Sequence, residues 1–168
     1  MDDITKPSGN YMGSLSKIQV CPVELIYSIP EPLNGVISSA VTFQSGKRWY
    51  DVYSAFESLS ISQKSVSSAQ GKHYEISVDG FVPGHCAVLD ELFNQLENSK
   101  LVLKITDMNG KIFLVCNTTR AQTIGATLTV DYDSTSSYSG KSGYQLSFKL
   151  TSPQRIYSYG PSGSGSGS

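Results

Sequence analysis

Charge is sparse in this chain. Asp, Glu, Lys and Arg make up 16% of its 168 residues and nearly cancel, leaving a net charge of -1. A protein that grips a phosphate backbone needs a basic face, so nucleic acid is not an expected partner. Long apolar runs are missing too. None approaches the roughly 18 to 20 residues that a bilayer crossing requires, and the opening MDDITKPSGN is acidic where a secretion signal is basic. These absences predict a soluble protein that is not exported by the usual route and has no membrane partner.

Cysteine and histidine are equally scarce. Cys21, Cys86 and Cys116 are odd in number and show neither a CxxC spacing nor a nearby histidine pair, which argues against a disulfide framework and a structural zinc site. All three are expected to be small buried or half-buried apolar residues in a reducing compartment. The two histidines are His73 and His85, and neither GxSxG nor HExxH occurs. A nucleophile with a base would have to pair a serine or Cys86 with His85, neighbours at a helix start, where a thiol pKa is lowered. The sequence offers no third group to orient such a pair, so no catalytic, cofactor-binding or metal-binding residue is assigned.

What the chain does contain is enough apolar material, 39%, for one core of ordinary size. Its last residues alternate Gly and Ser like an appended flexible linker, and its first dozen show no periodicity. The expected organisation is a flexible arm over 1–14, a single β-rich domain over 15–159 and a linker over 160–168.

Apolar residues recur at every second position in several windows, the pattern of strands with one wet face. Tyr74, Ile76 and Val78 alternate with Glu75, Ser77 and Asp79, and Leu128, Val130 and Tyr132 with Thr127, Thr129 and Asp131. Tyr144, Leu146, Phe148 and Leu150 do the same with Gln145, Ser147 and Lys149. Further strands are expected over 18–27, 36–43, 48–53 and 56–63. Asn109-Gly110, between LVLKITDM and KIFLVCN, predicts a type I′ hairpin turn. That turn sets Met108 opposite Lys111, Thr106 opposite Phe113 and Lys104 opposite Val115. Leu101, Leu103, Ile105, Ile112, Leu114 and Cys116 then form one apolar edge near the centre of a sheet.

One segment, about 85–98, has helical spacing. Val88, Leu89, Leu92, Phe93 and Leu96 fall on one stripe, and Asp90, Glu91, Gln95 and Glu97 cover the other side. Many strands with one covering helix define the expected fold class: mainly β, an antiparallel β-sandwich or partly open barrel with one flanking α-helix.

Two motifs invite chemistry and do not hold. SGKS at 139–142 ends like a phosphate loop, but Thr135 stands where the first glycine belongs and a strand follows where a helix should. Asp131 and Asp133 start like a calcium loop, but Thr135, Ser136 and Ser142 occupy positions that need a ligand, a glycine and a glutamate. Turn bonds from Asp133 to the backbone are the preferred reading, with a weak cation site at Asp131 and Asp133 as the alternative.

Aromatic residues are more suggestive. Trp49, Tyr50 and Tyr53 crowd one strand, and Tyr132, Tyr138, Tyr144, Tyr157 and Tyr159 gather in the last third. Exposed tyrosine and tryptophan stack on sugar rings or anchor protein interfaces. Trp49, Tyr50 and Tyr138 are the candidate interface anchors, with a large core plug as the competing role for Trp49.

The runs GKRWYDVYSAFESLSIS and GKHYEISVDGFVP, the single helix, the NGK turn and the closing DYDSTSS…SGYQLSFKL resemble, in order and in these short pieces, small structural proteins from the tail modules of tailed phages and prophages. The resemblance runs from about Lys17 to Tyr159. It implies a tail-tube-like fold whose subunits join edge to edge into rings, usually hexamers, that stack into a tube. It also implies partners among other tail proteins, a place in the virion after synthesis in the bacterial cytoplasm, no catalytic residue and no cofactor. Tube subunit and tail-completion protein both remain open.

Within that frame Asp133, Ser134, Thr135, Ser136, Ser137, Tyr138, Ser139, Gly140, Lys141 and Ser142 form an excursion of about ten residues, longer than a hairpin needs. It is expected to be an assembly loop, disordered in the isolated subunit and ordered against a neighbour. The alternative function is a β-sandwich that binds carbohydrate or protein through surface aromatics.

Overall fold

The computed structural model describes residues 15–55, 58–119, 122–134 and 142–160. In chain order its elements are β1 (Leu15–Pro22), β2 (Ile26–Ser28), β3 (Val36–Ile37), β4 (Thr42–Phe43), β5 (Tyr50–Val52), β6 (Ser60–Ser68) and β7 (Gly71–Pro83). The helix α1 (Ala87–Glu97) follows, then β8 (Leu101–Asp107), β9 (Ile112–Val115), β10 (Asn117–Thr119), β11 (Gln122–Ile124), β12 (Thr127–Asp133), β13 (Gly143–Ser152) and β14 (Tyr157–Tyr159). Two sheets dominate, a six-stranded one in the order β3-β14-β9-β8-β1-β5 and a four-stranded one in the order β12-β13-β7-β6. The fold is the expected mainly-β sandwich with one flanking helix, and no barrel closes among the described residues. Pairing is antiparallel except between β14 and β3.

The main core lies between the sheets. Ile18, Val20, Leu103 and Ile105 of the larger sheet meet Ile76, Val78, Leu146 and Phe148 of the smaller, and Phe93 of α1 closes one side. The alternation along β7 and β13 is what places these side chains, since every second residue points inward. A second cluster covers the opposite face of the six-stranded sheet. There Val102, Leu114, Cys116, Tyr157 and Tyr159 are roofed by Val23, Ile26, Phe43 and Trp49 from the 23–49 segment.

The 108–110 turn differs from expectation. Leu103 pairs with Val115, Ile105 with Phe113 and Thr106 with Ile112, one residue away from the predicted register. Gly110 has φ 81°, but Asn109 stays out of the left-handed region that a type I′ turn demands. The reason is Asp107, whose Oδ1 accepts the backbone N–H of Asn109 at 2.9 Å and of Lys111 at 2.8 Å. That side-chain cap favours a three-residue loop with only its last residue left-handed. A one-residue slip reverses faces. Leu101, Leu103 and Ile105 therefore enter the inter-sheet core, whereas Ile112, Leu114 and Cys116 join the outer cluster.

The tight turn of the predicted kind sits instead at Asn34-Gly35, with φ 52° and 78° and reciprocal backbone bonds between Leu33 and Val36 of 2.9 and 3.0 Å.

Four predicted strands are shorter or shifted, and that over 48–53 is reduced to Tyr50–Val52. The 18–27 stretch breaks at Pro22, after which a 3-10 turn spans Val23–Leu25; proline offers no N–H to continue the ladder. Of 36–43 only β3 and β4 pair. Of the 56–63 stretch, 56 and 57 lie outside the described residues; β6 begins at Ser60, after Ser58 donates to the Ala55 carbonyl at 2.7 Å. Cys86 is exposed rather than buried, while Cys21 and Cys116 are buried as expected. Burial pushes the Cys21 thiol up to about 11 and the Cys116 thiol to about 12.

Candidate interaction surface

A concavity of about 650 Å³ lies between the edge strand β5 and the helix α1. Its floor is apolar, built from Val20, Val52, Val82, Leu89, Phe93 and Leu96, and its rim carries Arg48, Trp49, Tyr50, Tyr53 and Leu92. β5 pairs with β1 on one side and with no other strand among the described residues. An unpaired strand beside an apolar groove is a ready site for association.

Local chemistry holds β5 in place. Asp51 accepts a hydrogen bond from Gln19 Nε2 at 2.6 Å and pairs with Lys17 Nζ at 3.1 Å. The Gln19 bond, followed by the Lys17 ammonium, keeps the Asp51 carboxyl below the usual carboxylate range.

The helix explains why the groove stays open. Its predicted stripe is wider than the surface it buries, since Phe93 is buried while Val88 is 73% and Leu92 46% exposed. A stripe of five apolar residues reads as one buried face in sequence. Here only part of it meets the sheet.

No protein-family model, no curated protein and no solved structure matches this chain.

The structure separates the predicted anchors. Trp49 is half-buried, packed edge-on against Phe43 at 5.3 Å, and has Lys104 Nζ 6.0 Å above its ring. It packs in the outer cluster and also lines the groove. Lys104 is held below the usual lysine range by burial and then by the Lys17 charge. Tyr50 is exposed on the rim, and Tyr53 beside it is 71% exposed. Tyr138 lies outside the described residues, as do Thr135, Ser136, Ser137, Ser139, Gly140 and Lys141 of the expected assembly loop.

The described ends of that loop are firmly tied. Asp133 pairs with Gly143. The Ser142 carbonyl accepts the Gly84 N–H at 3.0 Å, and the Ser142 hydroxyl lies 3.3 Å from Tyr132 Oη. Gly143 admits no side chain, because a Cβ there would press on the Val82 carbonyl and come within 2.8 Å of the Phe81 ring and 2.9 Å of Pro83 Cα.

Beside the loop base, Asp90 of α1 joins His85 and Tyr144. His85 Nε2 stands 3.0 Å from Asp90 Oδ2, and Tyr144 donates its phenolic hydrogen to Asp90 Oδ1. His85 also meets Tyr132 edge-on at 5.1 Å. In the sequence His85 has no evident orienting partner. Asp90 is that partner, five residues further along and visible only once α1 begins at Ala87. The same Asp90 carboxylate holds Tyr144, a buried ring, while Cys86 is exposed.

Asp131 and Asp133 are exposed on β12, and no three His, Cys, Asp or Glu side chains converge as metal ligands among the described residues. No helix there is long and apolar enough to cross a membrane.

Proposed function

We propose that the chain is a non-enzymatic virion structural protein of a tailed phage or prophage, a tail-tube or tail-completion subunit that assembles with copies of itself into a ring. One observation carries the reading. The six-stranded sheet ends in short open strands on both sides, β3 and β5, and exposed apolar side chains stand at each: Leu33 and Val36 at one, Tyr50 and Tyr53 at the other. An unpaired strand edge flanked by exposed apolar side chains is a template for pairing with another chain. The likeness in segment order to phage tail proteins supports the same conclusion, and the firmly tied base of the 133–142 loop suits a segment that reaches a neighbour.

Size-exclusion chromatography with light scattering, followed by negative-stain microscopy at high concentration, tests the proposal. Rings or tubes are expected. A chain that stays monomeric at every concentration overturns it. Replacing the loop between Asp133 and Gly143 by Asn-Gly is expected to preserve the fold and weaken assembly.

A second reading, a carbohydrate-binding module, has one observation in its favour. Tyr132 is 48% exposed and lines a concavity of about 390 Å³ with Asp90, Asn94 and Glu97, an aromatic plane flanked by polar groups. A glycan array followed by Tyr132→Ala decides it, and no binding above background removes it.

A further inference from the structure

We propose that the groove between β5 and α1 receives the Leu33–Val36 turn of a second copy of this chain. The inference rests on the self-assembly reading and names the two surfaces that meet.

The two surfaces stand at opposite ends of one sheet, with β3 at one end of the six-stranded order and β5 at the other. A head-to-tail repeat therefore brings the turn of one copy to the groove of the next through a single operation. The same operation repeated closes into a ring when its rotation fits.

The turn is built as a projection. Leu33 and Val36 flank Asn34-Gly35 and bond to each other through both backbone groups, yet their side chains are 77% and 43% exposed. A two-residue turn with both central residues left-handed is rigid, so little order is lost when it docks. The groove is its counterpart in chemistry, with Leu89 and Leu96 in its floor and Leu92 exposed at its lip. Charge agrees as well: of the two charged residues lining the groove, Asp51 is paired with Lys17, which leaves Arg48 on the rim, and the exposed Glu31 lies two residues before Leu33. Opposite charges at the rim steer the encounter and fix its register.

The test uses Leu33→Glu, which spoils the turn, and Leu92→Glu, which spoils the groove. Both positions are exposed, and circular dichroism checks the folds. Each variant alone is expected to fall to the monomer mass of 18.2 kDa at concentrations where the wild-type chain assembles. Mixed, the intact groove of Leu33→Glu takes the intact turn of Leu92→Glu, and the mixture stops at a 1:1 heterodimer. A wild-type chain that assembles while both variants still assemble overturns this pairing and leaves the self-assembly reading standing. Loss of assembly in Leu92→Glu alone also overturns it, since another segment then fills the groove. A wild-type chain that never assembles removes both ideas together. Should a glutamate disturb either fold, Leu33→Cys with Leu92→Cys on a Cys86→Ser background provides the second readout. An oxidised ladder of linked subunits supports the contact, and assembly without a ladder refutes it.

Discussion

Tyr144 of β13 donates its phenolic hydrogen to the carboxylate of Asp90 on α1 at 2.5 Å, joining the smaller sheet to the helix that walls the groove. Phe93, one turn along α1, packs edge-on against the same ring at 5.0 Å. The bond thus sets the helix against β13 from one side while the core holds it from the other.

Replacing Tyr144 by Phe removes that bond and keeps the ring. A net loss of stability is expected in chemical denaturation. The pH dependence has a definite sign. Burial, then the bond and charge of Asp90, raise the Tyr144 pKa in the folded state. The folded chain therefore holds this proton more tightly than the unfolded one. Stability from Tyr144 is complete below the ordinary tyrosine value of about 10 and declines as pH rises above it. Tyr144→Phe should flatten that alkaline decline, which a series of denaturation curves from pH 8 upward would show.

Asp107 decides the 108–110 turn, so Asp107→Ala is expected to cost about 1 kcal/mol or slightly more, as removal of a side-chain cap does. Asp107→Asn keeps the Oδ1 acceptor and should recover most of it. Equal melting temperatures for Asp107→Ala and the wild-type chain would remove the side chain as the cause of the register.

Gly143→Ala places a methyl group against the backbone of Val82 and Pro83, which cannot move without opening the β7–β13 ladder. Overpacking of this kind costs roughly 1 to 3 kcal/mol, occasionally more. The upper end is expected, since two of the three opposing atoms are backbone.

The cysteines should differ sharply in reactivity. Only the thiolate reacts, and burial keeps Cys21 and Cys116 protonated. A thiol reagent such as iodoacetamide should label Cys86 alone in the folded chain at neutral pH and all three after denaturation. Mass spectrometry of the labelled peptides reads this directly, and fast native labelling of Cys116 would contradict its placement in the outer cluster.

Much of the fold was legible in the sequence, and the errors have particular causes. Tyr144, Leu146, Phe148 and Leu150 alternate and all four are buried, because period-two patterning along one strand is a local property. Tyr132 alternates in phase with Leu128 yet is exposed, since β12 is an edge strand whose end runs past the core. No alternating runs flank Asn34-Gly35, whereas such runs do flank Asn109-Gly110, so only the second carries a hairpin signal in the sequence. Its neighbour Asp107 then reset the loop through two hydrogen bonds that no pattern of apolar residues encodes.

Of the candidate site, Trp49 and Tyr50 are legible as a crowded aromatic strand, while the helical stripe opposite them predicts a face buried on a sheet. Nothing local distinguishes Leu92, left at a lip, from Leu96, partly buried, on one helical stripe.

The sequence by itself determined the sandwich class, the single helix, the scarcity of ionisable groups and the strands of the inter-sheet core. Each of these follows from composition or from a period within a few residues. Only the tertiary structure decided the hairpin register, the division of apolar residues between two clusters, and the meeting of Tyr50 with Leu92 across one groove. Those depend on which edge a strand leaves unpaired and how far a helix covers it, and such contacts join residues some forty positions apart whose spacing carries no signal along the chain.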